Sequence, residues 1–172
     1  MKLNDKLYKM INDQIKHELE SAYIYYSMVS YFVAEGLDGM ARWMTAQTQE
    51  EMLHAGKFFN FIGERGGKVE LQNLKIIKTN WTSPLEAFQD ALAHEEFITG
   101  KINDLMTVAI EVNDFPAKVL LDWFVSEQVE EEANVGKVVQ TLARVGDSGN
   151  GLFMLDRELG QRVFTPPPAQ GE

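Results

Sequence analysis

Glu51 and His54 stand three residues apart in a stretch that has no proline before Pro84. On an α-helix this spacing separates two side chains by about 60°, so a carboxylate and an imidazole can reach one ion. Alone, Glu-x-x-His is a weak signal. It gains weight from three other places where an apolar stripe carries a polar group: Glu18 between Ile15 and Ala22, Glu95 between Leu92 and Ile98, and Gln128 with Glu131 between Phe124 and Val135. Followed at i, i+3, i+4 spacing, the Glu51 stripe reads Met44, Gln47, Glu51, His54, Phe58, polar in its middle and apolar at both ends. Burying an unpartnered carboxylate costs on the order of several kcal/mol, and no Lys or Arg lies on these stripes near that level. A bound cation resolves the conflict. Carboxylates with one imidazole suit iron, manganese or zinc better than copper(I), which prefers sulfur.

The elements that must hold these residues are helices. Helical periodicity runs from Asn4 to Ala34 and from Asp38 to Arg65, each followed by glycine. A third helix starts at Ser83-Pro84-Leu85-Glu86, an N-cap serine, a proline at the first helical position and a glutamate that closes a capping box. Pro116 opens a fourth helix to Val145, and a short fifth with Leu152, Leu155 and Leu159 is expected after Gly151. Each polar position falls near the middle of its helix, and midpoints meet whichever way the helices point. Short links make helices one and two, and three and four, antiparallel hairpins. Gly66 to Ser83 spans up to roughly 60 Å when extended, more than the roughly 42 Å of a 28-residue helix. The expected fold is therefore all-α: a four-helix bundle with one long crossover and a short fifth helix, the ferritin-like arrangement. It forms one domain over residues 1–165, with 166–172 expected to be a disordered tail.

Composition narrows the function. The chain has 172 residues and no cysteine, which removes zinc ribbons, cysteine-ligated iron–sulfur clusters, thiol catalysis and disulfide scaffolds. Its net charge of −10 repels phosphate backbones and favours cations, so nucleic acid is not an expected partner. No apolar run is long enough for a membrane span or resembles a signal peptide, and a cytoplasmic location is expected.

The segments Glu18-Leu19-Glu20, Gln49-Glu50-Glu51-Met52-Leu53-His54, His94-Glu95-Glu96 and Trp123-Phe124-Val125-Ser126-Glu127-Gln128-Val129-Glu130-Glu131-Glu132 closely resemble the bacterial non-haem ferritins. The resemblance extends over about residues 5–162 and implies an iron-storage protein. It implies a ferroxidase that oxidises Fe(II) with O2 or H2O2 and keeps ferric mineral in a hollow shell of 24 identical subunits. Carried over by position, Glu18, Glu51 and His54 would hold one iron. Glu51 would bridge to a second held by Glu95 and Glu131, with Gln128 nearby. Glu50, Glu127 and Glu130 would form a weaker third site on the inner side, consistent with Glu50 lying about 100° around the helix from Glu51. Tyr25 matches a tyrosine beside the di-iron site that could donate an electron.

Bacterioferritins carry a second Glu-x-x-His in helix four, where this chain has Gln128-x-x-Glu131. Haem is therefore not expected, although Met52 stands where those proteins place their haem-ligating methionine. The alternatives are another di-metal carboxylate oxidase on the same bundle, a haem-binding bacterioferritin, or a structural bundle without metal. Glu132 is expected to face solvent without a role, and His17 and His94 to lie on the surface. Trp43, Trp81 and Trp123 are expected in packing or subunit contacts.

Overall fold

Side-chain caps set where most of the helices begin. In the structure, a computed structural model describing residues 3–75 and 78–165, Asn4 Oδ1 accepts from the Lys6 and Leu7 amides at 2.9 and 3.3 Å and starts α1 (Asp5–Ala34). The chain reverses at Gly36, whose φ of +71° suits a residue without a Cβ, and enters α2 (Asp38–Glu64). Ser83 accepts from the Glu86 amide at 3.1 Å to start α3 (Pro84–Glu111). The glutamate of this cap bonds one residue earlier than expected, accepting from the Thr82 amide at 2.6 Å and pairing with Lys78 at 2.5 Å. Asp114 accepts from the Ala117 amide at 3.2 Å to begin α4 (Phe115–Val145), and also takes both arms of Arg65 at 2.8 and 2.9 Å. The last helix, α5 (Gly149–Leu159), starts two residues before Gly151, because Ser148 accepts from the Gly151 amide at 3.2 Å and draws the glycine run into the first turn.

The helices form a four-helix bundle with α5 packed on α2 and α4. Gln47 meets Glu131, Phe58 stacks on Phe124 and Arg65 pairs with Asp114, so α2 and α4 run antiparallel. The crossover descends α1 in the direction of that helix: Lys68 lies at Tyr8, Glu70 at Asn12, Gln72 at Asp13, Lys75 at Glu20, and Trp81 against Tyr31. This full-length return is the ferritin-like topology. The expected disordered tail, 166–172, lies outside the described residues. No described helix is long and apolar enough to cross a membrane.

The core is divided. One apolar cluster joins Tyr25, Phe32, Met44, Phe88 and Val135, and the other joins Ile15, Phe58, Ile98 and Phe124. Between them lie Glu18, Gln47, Glu51, His54, Glu95, Gln128 and Glu131, all buried. Each helix contributes at the level where its apolar stripe is broken.

The start of α2 has no side-chain cap of its own. Asp156 of α5 supplies one, accepting from the Gly39 and Met40 amides at 3.1 and 2.8 Å. A Cβ on Gly39 would lie 1.7 Å from the Asp156 carbonyl oxygen, backbone that cannot turn aside. Gly39→Ala is expected to lift α5 off the bundle and cost about 3 kcal/mol. Asp156→Ala, which loses only the cap, is expected to cost about 1 kcal/mol. Thermal unfolding with hydrogen exchange over α5 measures both, and equal small effects would show that the close approach is unimportant.

Candidate metal centre

Glu18 and Glu51 face each other from α1 and α2, with His54 one turn beyond Glu51. One ligand atom from each of the three lies within 4.8 Å of the others. Gln14, one turn before Glu18, donates to Glu18 Oε1 at 2.9 Å and leaves Oε2 buried without a partner. Glu51 Oε1 is likewise buried and unpartnered, while its Oε2 is 3.4 Å from His54 Nδ1. Buried polar atoms rarely go unsatisfied. Two unpartnered carboxylate oxygens beside an imidazole are donors suited to a divalent first-row cation.

The second half of the layer comes from α3 and α4. Tyr25 donates its hydroxyl hydrogen to Glu95 Oε1, and Gln128 Nε2 lies 3.3 Å from Glu95 Oε2. Gln47, one turn before Glu51, donates to Glu131 Oε2 at 2.5 Å. His54, Glu127 and Glu131 form a second group whose ligand atoms fall within 4.8 Å. His54 Nε2 is 3.8 Å from Glu127 Oε1, so Glu127 lies on the far side of the ring from Glu51 and can fix its orientation while Nδ1 faces the layer.

The electrostatics are those of several carboxyls crowded into a buried layer. Burial, then repulsion from Glu51, pushes Glu18 up to about 8. Burial, then Glu131, pushes Glu95 to about 8, and burial, then Glu95, pushes Glu51 to about 7. Glu131 is raised by burial against the Gln47 hydrogen bond. Burial acts to lower His54, but the Glu51 charge and the nearby Glu127 and Glu18 carboxylates prevail and hold it well above the usual imidazole range. Burial and then Glu95 raise the Tyr25 phenol well above its ordinary range. Glu18 responds to Glu51, Glu51 to Glu95 and Glu131, and Glu95 to Glu18, so the carboxylates of the two halves act on one another as a single layer.

Glu50, Glu127 and Glu130 are not gathered into one group among the described residues. Glu50 is held by Arg162, Glu127 faces His54, and Glu130 is exposed. Three expectations need correction. Glu132 is half-buried and accepts from Thr99 Oγ1 at 2.5 Å, and Gln128 reaches the same hydroxyl at 3.3 Å, so Glu132 is tied to the layer through one side chain. His94 lies between α1 and α3, where its Nε2 meets Ser21 Oγ at 2.7 Å and burial lowers it to about 4. His17 is partly buried, edge-on to Phe97. Both histidines turn away from the layer, but the contact of α1 with α3 covers that flank. Of the tryptophans, Trp43 and Trp81 pack in the apolar core, whereas Trp123 stands edge-on to His54 with ring centres 5.5 Å apart.

Gln14, one turn before Glu18, is readable as its partner by i, i+4 spacing, whereas Gln47 stands one turn before Glu51 but bonds across the bundle to Glu131. Arg162 gave no such signal.

A ferritin-like domain model matches residues 8–145. The chain is 39% identical over 160 residues to the bacterial non-heme ferritin of Bacteroides fragilis, covering 93% of this chain and 99% of that protein. It is 35% identical over 162 residues to the bacterial non-heme ferritin of Staphylococcus aureus, covering 94% and 98%. Among solved structures, a humanized archaeal ferritin superposes with a TM-score of 0.94 at 43% identity, covering 95% and 99% of the two chains. An open pore ferritin from Archaeoglobus fulgidus gives 0.93 at 42% identity, covering 94% and 99%.

Proposed function

Because the chain belongs to the ferritin family, we propose that it stores iron, oxidising Fe(II) at the central polar layer and keeping the ferric product as mineral inside a shell of 24 copies. The observation that carries this reading is the pair of buried, unpartnered oxygens Glu18 Oε2 and Glu51 Oε1 beside His54, in a layer that splits an otherwise apolar core. Iron is the substrate. Glu18, Glu51 and His54 take one Fe(II), and Glu51 is shared with a second held by Glu95 and Glu131, with Gln128 beside it. Oxygen ligands favour Fe(III) over Fe(II), so binding lowers the barrier to electron loss. Two Fe(II) give up two electrons together, and O2 with two protons becomes H2O2; with H2O2 as oxidant, two protons and two electrons yield water. Tyr25, whose hydroxyl donates to Glu95, would supply one further electron and its proton, which together with one electron from a third Fe(II) and one more proton take H2O2 to two waters. Glu50, Glu127 and Glu130 receive a third, weaker ion on the way to the cavity. The net charge of −10 draws cations toward the protein and its product toward nucleation.

Aerobic addition of Fe(II) at many equivalents per subunit, followed by native mass measurement, tests the reading. Retained ferric absorbance in a particle of about twenty-four subunits is expected. A small oligomer that turns over without retaining iron would instead identify a di-metal oxidase.

The purified protein is expected to carry no stoichiometric haem. The expectation rests on Gln128-x-x-Glu131 in α4, where bacterioferritins carry Glu-x-x-His. A Soret band at fixed stoichiometry, lost in Met52→Leu, would reverse this.

A further inference from the structure

Arg162 follows α5, far in sequence from the polar layer, yet its guanidinium reaches the flank of that layer. Nη2 donates to Glu50 Oε2, and the guanidinium lies 4.3 Å from the centre of the Trp43 ring. Both side chains are mostly buried, 20% and 23% exposed. The other terminal nitrogen, Nη1, is buried with no partner, so the arginine is held by one carboxylate and one aromatic face. Its location is fixed by α5, which Asp156 ties to the start of α2 and whose Leu155 and Leu159 enter the core.

Glu50 is close to the second ligand group. Burial raises its carboxyl and Arg162 opposes this, with Glu131, His54 and Glu127 all near enough to act on it. Arg162 also acts on Glu131. The guanidinium already occupies Glu50 Oε2, so a metal ion using Glu50 would meet that positive charge at close range. Release has a destination: a cavity of about 200 Å³ is lined by Trp43, Glu158 and Arg162.

We propose that Arg162 is a built-in competitor for the innermost metal ion, holding Glu50 until an incoming cation displaces the guanidinium, so that the segment after α5 sets how weakly that ion binds. The inference rests on the proposed inner site. It makes Arg162 a positioning residue, acting on iron through Glu50. It also gives that site a reason to stay weak, which suits an ion in transit to the cavity.

Anaerobic calorimetric titration with Zn(II), a redox-silent probe, tests this in wild type, Arg162→Gln, Arg162→Lys, Glu50→Gln and the Arg162→Gln/Glu50→Gln double variant. Arg162→Gln is expected to tighten the weakest class of Zn(II) by about tenfold, the scale of one charge-assisted pair. The tighter classes should change far less, since Arg162 reaches them only through a minor effect on Glu131, and Arg162→Lys should stay near wild type because it keeps the competing charge. With Glu50→Gln already present, the same change should have no effect. Hydrogen exchange over residues 160–165 is expected to rise on Zn(II) loading in wild type while α5 stays protected. A weak class that is present but unmoved by Arg162→Gln overturns the competitor and leaves the inner site standing. Absence of any weak class in wild type and Arg162→Gln alike overturns the inner site itself. A gain that persists in the double variant would show that Arg162 acts through general charge rather than through Glu50.

Discussion

Glu51→Ala is expected to abolish fast Fe(II) oxidation while leaving assembly intact. Glu51 joins the two halves of the polar layer, facing Glu18 and His54 on one side and feeling Glu95 and Glu131 on the other. Losing a residue that merely orients a metal ligand costs about 10–100-fold, so losing the shared ligand is expected to slow the initial two-iron oxidation by more than about a hundredfold. The metal-free variant is expected to be at least as stable as wild type. Its alanine removes a carboxylate that is 2% exposed, has one unpartnered oxygen and repels Glu95, and that relief offsets the lost contact with His54, which Glu127 still faces. Stopped-flow absorbance with two Fe(II) per subunit and thermal unfolding of the metal-free protein are the two measurements. Wild-type oxidation rates in an assembled variant would remove Glu51, and with it the paired site, from the mechanism.

Divalent metal is expected to stabilise the protein strongly near pH 7.5 and weakly near pH 5. Glu18 titrates at about 8 in the fold against an ordinary value of 4.5, and Glu95 and Glu51 are raised to about 8 and about 7. A raised carboxyl holds its proton in the folded chain after the unfolded chain has lost it. Stability contributed this way is present at low pH and is lost as pH climbs from about 4.5 to about 8. His54, raised by Glu51 and Glu127 in spite of burial, acts in the same direction. The melting temperature of the metal-free protein should therefore fall across that window, and Glu51→Gln should flatten the fall. A bound cation takes the place of these protons, so binding releases them and tightens with pH. With Zn(II) at about a hundred times its dissociation constant, the gain of about 2.7 kcal/mol corresponds to roughly 5–10 °C in a chain of this size. Calorimetry in buffers of different ionisation enthalpy counts the protons released. Binding that releases none, with a melting shift equal at both pH values, would sink this account of the layer.

The apolar stripes by themselves determined the helices and the level of the polar layer, and the short links between helices determined their hairpin pairing. Periodicity is local, and a carboxylate in the middle of a buried stripe is conspicuous wherever the helix is placed. Thus Glu18, Glu51, His54, Glu95, Gln128 and Glu131, all buried, were legible from spacing alone. Length sufficed for the crossover, because a chain of that reach can return along the bundle, and its docking on α1 through Tyr8, Asn12 and Glu20 agrees. Tertiary structure decided what lies beside the stripes. A position about 100° off the core can face solvent or a neighbouring helix, and only packing chooses. Hence Glu132 is tied to Thr99, His94 lies under α1 and Glu130 is exposed, though their sequence contexts look alike. It also decided contacts between residues distant along the chain. Arg162 reaches Glu50 across 112 positions only because α5 folds back onto α2, where Gly39 leaves room for it and Asp156 of α5 caps the start of α2. No local pattern encodes such a meeting, since it depends on the path of the backbone between the two residues rather than on the residues themselves.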